Sequence, residues 1–248
     1  MADKDNLSIE QILAAARKQD SGGGGESAPG AEAASAETSK PAASTPDAAR
    51  YRAMVGRVFR GYRIDRIIAS GGMGTVFRSY DTNLNREVAV KLMKPEIAED
   101  PLQVEAFKRE ARACAGLNHT NIIHIYGFDE ADGQKYLVME LADNGTFDGR
   151  IESQGRVDEL LVLDVGIKIA SALDCSSRHG LLHLDIKPGN ILFNNDEPPE
   201  PKLVDFGLAQ SSEGGRDPDA GVFGTPYYIA PERISLQTED FRSDMYSL

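Results

Sequence analysis

The chain has little cysteine, few bases relative to acids, and no long apolar run. Only two cysteines, Cys114 and Cys175, occur in 248 residues, and both lie inside apolar stretches of helical spacing. That argues against a disulfide framework and fits a reducing compartment. No run approaches eighteen apolar residues, so no transmembrane helix is expected. The first residues include acids and no basic start before an apolar stretch, so they do not form a secretory signal. A cytoplasmic location is the expectation, and the residues are silent on an anchor beyond Leu248. Lys and Arg number 27 against 39 Asp and Glu, for a net charge of −12 and a pI of about 4.8. A non-specific nucleic-acid binder normally shows a basic face, so no nucleic-acid partner is expected. The total charge says little about a substrate, because steering depends on the field near a cleft. His119, His124 and His179 have no metal-ligand spacing, and no repeat of solenoid length is visible.

Composition shifts along the chain mark its organisation. In residues 1–18, Ser8 and Gln11 have capping-box spacing, and Ile9, Ile12, Leu13 and Ala16 fall on one helical face. A helix this short is marginal in water. It is read either as a frayed segment or as a docking helix for a partner groove. Residues 19–55 are rich in Gly, Ala, Ser, Glu and Pro, and they bury too little apolar area to offset ordering. They read as a disordered linker before a domain at 56–248. From Phe59 the pattern changes. Tyr62–Ile68, Gly74–Tyr80, Glu87–Met93, Ile122–Asp129 and Lys135–Glu140 read as strands, the last two joined through Asp132-Gly133. Pro101–Leu117 and Asp158–His179 read as helices, the second with Leu161, Val165, Ile169 and Leu173 at helical spacing. Short strands are expected around Ile191–Phe193 and Lys202–Val204. The fold class is thus α+β: a β-rich part at about 59–141, then a mainly helical part at 142–248.

Three motifs carry chemistry. Ile68-Ala69-Ser70-Gly71-Gly72-Met73-Gly74-Thr75-Val76 joins two predicted strands, and glycines there let backbone N–H groups approach phosphate oxygens. Val88-Ala89-Val90-Lys91 puts a lysine inside an apolar strand, where it requires a charge partner. His183-Leu184-Asp185-Ile186-Lys187-Pro188-Gly189-Asn190, followed by Asp205-Phe206-Gly207, places Asp, Lys and Asn on one loop and a second Asp some way on. Phosphoryl transfer from ATP needs such a set: a carboxylate to orient a hydroxyl, oxygen ligands for Mg²⁺, and a cation for the moving phosphoryl group.

These motifs, in this order from about Tyr62 to the last residue, resemble the protein kinase family, in particular bacterial kinases related to the eukaryotic Ser/Thr type. The resemblance implies a two-lobed fold and transfer of the γ-phosphoryl group of ATP to Ser/Thr hydroxyls of protein substrates, with Mg²⁺. It implies that Asp185 orients the hydroxyl, Lys187 reaches the γ-phosphate, and Asn190 and Asp205 bind the metal. Lys91 would contact the phosphates and pair with Glu110. Gly71, Gly72 and Gly74 would cover the phosphates. Ile68, Val76 and Ala89 would roof the adenine and Leu192 would floor it. Met139 resembles the gatekeeper, and Glu140 and Ala142 would offer backbone groups to adenine. Thr225 resembles the Thr that bonds near the catalytic Asp and Lys. Asp244 matches the helix Asp that braces the catalytic loop, whereas His183 and Cys114 read as packed structural residues.

There are three departures. Ala69 stands where the family expects glycine. Leu184 replaces the arginine that usually pairs with an activation-loop phosphate, which puts that switch in doubt. The chain also stops before the family's last helices, so the resemblance is to a C-terminally truncated catalytic domain, and Glu232 is expected to lack its arginine partner. Two rival readings are an ATP-binding pseudokinase scaffold and an inactive truncated fragment.

Overall fold

The computed structural model describes residues 46–72, 74–194, 197–206, 210–211, 226–234 and 240–248. The helix expected at 1–18 and the linker up to residue 45 lie outside the described residues. In chain order the elements are α1 (Pro46–Arg52), β1 (Val58–Phe59), β2 (Tyr62–Ser70), β3 (Gly74–Asp81), β4 (Arg86–Met93), α2 (Pro95–Ala98), α3 (Pro101–Ala115), β5 (Ile125–Ala131) and β6 (Gln134–Met139). They continue with α4 (Phe147–Gln154), α5 (Glu159–Arg178), β7 (Leu181–Leu182), β8 (Ile191–Phe193), β9 (Pro201–Leu203), β10 (Gln210–Ser211), α6 (Pro231–Ile234) and α7 (Phe241–Ser247).

Six strands form one antiparallel sheet in the order β1-β2-β3-β4-β6-β5. β5 and β6 are joined by Asp132-Gly133, both at positive φ (52° and 73°), as a two-residue hairpin requires. β6 inserts next to β4, which sets Ala89 opposite Met139 and Lys91 opposite Leu137. One core lies on this sheet around Ile64, Phe77, Val88, Val90, Leu92 and Val138. α3 packs near it through Val104, Phe107 and Ala111, which meet Met93 and Leu137. Asp100 caps α3 by accepting from the Leu102 N–H at 2.9 Å, with Pro101 in the first turn.

The second core is built on α5. Asp158 caps it by accepting from the Leu160 and Leu161 N–H groups. Val165, Ile169, Ala172 and Leu173 face Ile186, Ile191, Phe193, Leu203 and Phe206. This packing carries the loop 183–190 and the β8–β9 hairpin on one side of the helix.

The folded part begins earlier than composition suggests. Residues 46–55, expected in the linker, contain α1, and its Tyr51 is buried edge-on against Phe77 at 6.0 Å. One aromatic ring buried in the sheet's core outweighs a Pro/Ala-rich sequence, which is why composition misplaced the boundary. β1, α1, α2 and α4 were also not resolved from the sequence pattern, being too short for periodicity to show.

Candidate active site

A cleft of about 990 Å³ is bordered by Ile68, Val76, Ala89, Met139, Leu192 and Lys91, with Asp185, Lys187 and Asp205 at its polar end. That volume suits a nucleotide-sized ligand, with apolar walls and a few convergent polar groups. Gly71, Gly72, Gly74, Glu140 and Ala142 line the same cleft.

The β2–β3 turn closes through the Gly71 N–H donating to the Gly74 carbonyl at 2.9 Å. A Cβ at Gly74 would meet the Leu92 carbonyl oxygen at 2.3 Å, so glycine is required there by the approach of β4. Gly71 and Gly72 have open space around them, so theirs is the backbone free to approach a ligand. Ala69 pairs with Val76 in the ladder and is not among the residues with positive φ, so alanine fits where the family has glycine. Met73 lies outside the described residues.

The edge that would face adenine is held from behind. The Glu140 N–H donates to the His124 carbonyl at 2.8 Å. Its carboxylate accepts from Lys202 at 2.6 Å and lies 3.1 Å from His124 Nδ1. Lys202 is only 5 % exposed, and it sits on β9 three residues before Asp205. Among the described residues, neither the Glu140 carbonyl nor the Ala142 N–H has a backbone partner. The sequence points to Glu140 only for its backbone carbonyl and does not disclose Lys202. An apolar strand interrupted by one lysine was the available signal.

Beyond that edge, Asp143 accepts from Arg66 at 2.5 Å and Arg78 at 2.8 Å. These bonds tie β2 and β3 to the segment after β6. No sequence pattern pointed to this pair of contacts.

Lys91 Nζ lies 3.2 Å from Asp205 Oδ1. Glu110, its expected partner, is on α3, and its side chain lies outside the described residues. The surrounding protein disfavours charge on Asp205, but Lys91, by charge and hydrogen bond, and Lys187 hold its carboxyl below the usual 3.8. Asp205 has φ 64°, a left-handed backbone that aspartate tolerates.

Asp185 Oδ2 accepts from Lys187 Nζ at 2.8 Å and from Asn190 Nδ2 at 2.9 Å. Asn190 Nδ2 also donates to the Asp185 carbonyl at 2.8 Å. Two acceptors on that nitrogen fix the amide orientation and turn its oxygen the other way. The Asn190 oxygen and the Asp205 carboxylate are hard donors that suit Mg²⁺. Among the described residues no three His, Cys, Asp or Glu side chains converge on one point.

His183 is fully buried. Its Nε2 lies 3.0 Å from the Val204 carbonyl, so it is the protonated nitrogen, and Nδ1 accepts the Asp185 N–H at 3.2 Å. Burial holds its pKa below the ordinary 6.5, against the opposing pull of Asp244. Asp244 accepts the His183 N–H at 2.8 Å and the Leu184 N–H at 2.7 Å. Burial raises the Asp244 carboxyl above 3.8, with His183 and these two N–H groups opposing. Leu184 has φ 65°, which costs a bulky residue roughly 1–2 kcal/mol. Arg233, 5 % exposed, donates to the Leu184 carbonyl at 2.5 Å, a contact the sequence did not disclose. Glu232 is not left alone: the Ser243 hydroxyl donates to it at 2.6 Å. Thr225 lies outside the described residues.

The protein kinase domain family matches residues 62–248. The chain is 39 % identical over 193 residues to serine/threonine-protein kinase PknA of Mycobacterium tuberculosis, an alignment covering 75 % of this chain and 44 % of PknA. It is 34 % identical over 197 residues to probable serine/threonine-protein kinase CPE1738 of Clostridium perfringens, covering 79 % of this chain and 28 % of that protein. The chain therefore spans less than half the length of either relative. The crystal structure of a double mutant of the PknI kinase domain of Mycobacterium tuberculosis superposes with a TM-score of 0.59 at 27 % identity, covering 78 % of this chain and 73 % of that one. With a six-stranded sheet beside a helical core and Lys91, Asp185, Lys187 and Asp205 lining one cleft, the chain belongs to the protein kinase family, among the bacterial kinases of the eukaryotic-like Ser/Thr type.

Proposed function

We propose that this chain transfers the γ-phosphoryl group of ATP to Ser or Thr hydroxyls of protein substrates. The observation that carries the reading is the hydrogen-bonded set Asp185, Lys187 and Asn190, of which Asp185 and Lys187 line the same cleft as Asp205 and Lys91. Asp185 orients the acceptor hydroxyl and takes its proton late in transfer. Lys187, already 2.8 Å from Asp185, lies where it can offset charge on the moving group. Asn190 and Asp205 would hold Mg²⁺, which supplies charge neutralisation at the phosphates when bound. Lys91 positions the phosphates. The Glu140 carbonyl and the Ala142 N–H bind adenine between Ile68, Val76 and Ala89 above and Leu192 below. Thr225 contributes on the acceptor side.

A pseudokinase scaffold is the weaker reading, because every charged group that transfer needs is present in the sequence. Sparse cysteine supports a reducing, cytoplasmic setting, and among the described residues no helix is long and apolar enough to cross a membrane. The face that Ile9, Ile12, Leu13 and Ala16 would share in a helix is assigned to docking a partner groove.

The test is radiolabel transfer from Mg-ATP to a generic Ser/Thr protein acceptor. Asp185→Asn is expected to lower turnover on the order of 10²-fold or more while Mg-ADP still binds. Asp205→Asn is expected to weaken both turnover and Mg-ADP binding. Normal turnover in either variant contradicts the assignment.

A further inference from the structure

Five described non-glycine residues have positive φ: Arg60, Asn85, Asp132, Leu184 and Asp205. Leu184 is the one apolar side chain among them, and it lies directly before Asp185. Its conformation is held from two sides by α6 and α7. Asp244 accepts its N–H at 2.7 Å, and Arg233 donates to its carbonyl at 2.5 Å. Those two helices are tied to each other, since the residue beside each jaw joins the other, Ser243 to Glu232 at 2.6 Å. Ser247 also donates to the Tyr228 carbonyl at 2.6 Å.

A peptide unit is planar, so the Leu184 carbonyl and the Asp185 N–H belong to one rigid plate. Arg233 grips the oxygen of that plate, and His183 Nδ1 accepts its N–H at 3.2 Å. The plate fixes the direction in which the Asp185 side chain leaves the backbone. Without the grip on the oxygen, the plate can rotate as Leu184 relaxes toward negative φ, and the carboxylate moves with it.

We propose that Arg233 is a positioning residue for phosphoryl transfer. It holds the strained Leu184 peptide so that the Asp185 carboxylate meets the acceptor hydroxyl, and it links residues 226–234 to the loop 183–190. The inference rests on the reading of Asp185 given above. It also accounts for a loop that carries leucine at 184: a buried internal guanidinium on the Leu184 carbonyl does the bracing.

The experiment compares the full chain with Arg233→Met, Arg233→Lys, and each of these combined with Leu184→Gly. Arg233→Met is expected to lower kcat on the order of 10²-fold, the scale of a small misplacement of a reacting group, with KM for ATP and Mg-ADP affinity unchanged. Arg233→Lys keeps a donor and should retain more of kcat. Adding Leu184→Gly should raise kcat in both backgrounds, because glycine adopts positive φ without a clamp. Wild-type kcat in Arg233→Met, or no gain from Leu184→Gly, overturns the proposal. If Arg233→Met does not fold, the Arg233→Lys pair gives the same comparison. Failure of the functional reading has a different signature, in that the unsubstituted chain transfers no label. Hydrogen exchange then decides: the Leu184 and Asp185 amides must exchange faster in the Arg233 variants, and unchanged exchange overturns the clamp.

Discussion

At the scale of single residues, the chemistry of this site is set by which groups are kept charged and which neutral. His183 is neutral in the fold because both ring nitrogens are already committed and burial lowers its pKa from 6.5. In the unfolded chain the same imidazole takes up a proton near pH 6.5. Below that pH the unfolded state binds more protons, so the stability tied to His183 is present above about pH 6.5 and is lost as the pH falls toward the folded pKa. Asp244, with its carboxyl raised, pulls the other way, but only as the pH falls through its own folded value. Melting temperature should therefore fall between about pH 7.5 and about pH 5.5, and His183→Gln should flatten that slope. Equal slopes in the two proteins would remove His183 from the account.

At the scale of elements, short pieces do work out of proportion to their length. α1 contributes one ring, Tyr51, to the core of the sheet, and its Arg50 reaches Gln134, which in turn donates to the Met93 carbonyl at 2.6 Å. Tyr51→Ala is expected to cost about 3 kcal/mol, as for a large buried aromatic, whereas removing residues 1–44 should leave the melting temperature unchanged. Thermal melts of the two proteins test where the domain begins. The pair of buried Lys202 with half-buried Glu140 joins β9 to the segment after β6. Lys202→Met would leave a carboxylate with only His124 beside it, and breaking such a pair costs roughly 3–5 kcal/mol. Denaturant titration should show that loss, with Glu140→Gln in the Lys202→Met background regaining part of it.

At the scale of the whole molecule, apolar side chains remain uncovered on two helices. Leu160, Leu163 and Ile167 lie on one face of α5 and are 75 %, 62 % and 70 % exposed. Phe241, Met245 and Tyr246 on α7 are exposed as well. Apolar area of that kind promotes association. Hydrogen exchange should find slower amides in β2, β3, β4 and β6, each paired on both sides, than in the short helices α6 and α7. Replacing Leu160 and Ile167 by glutamate should reduce hydrophobic-dye binding and aggregation at an unchanged melting temperature. Faster exchange in those strands than in α6 and α7 would contradict this ordering.

The sequence by itself determined the family, the long strands, and α3 and α5, and it named Lys91, Asp185, Lys187, Asn190 and Asp205 as the site we propose. These are legible because periodicity and motif spacing are local properties of the chain. Tertiary structure alone decided the contacts that hold them. Tyr51 in the sheet core, Lys202 on Glu140, the two arginines on Asp143 and Arg233 on the Leu184 carbonyl each join residues far apart in the sequence. Lys91 facing Asp205 at 3.2 Å is of the same kind, since both residues were named from the sequence but their meeting was not. The reason is physical. A side chain's type is written in the sequence, but which buried partner offsets its charge or its strain depends on the packing that brings distant segments together.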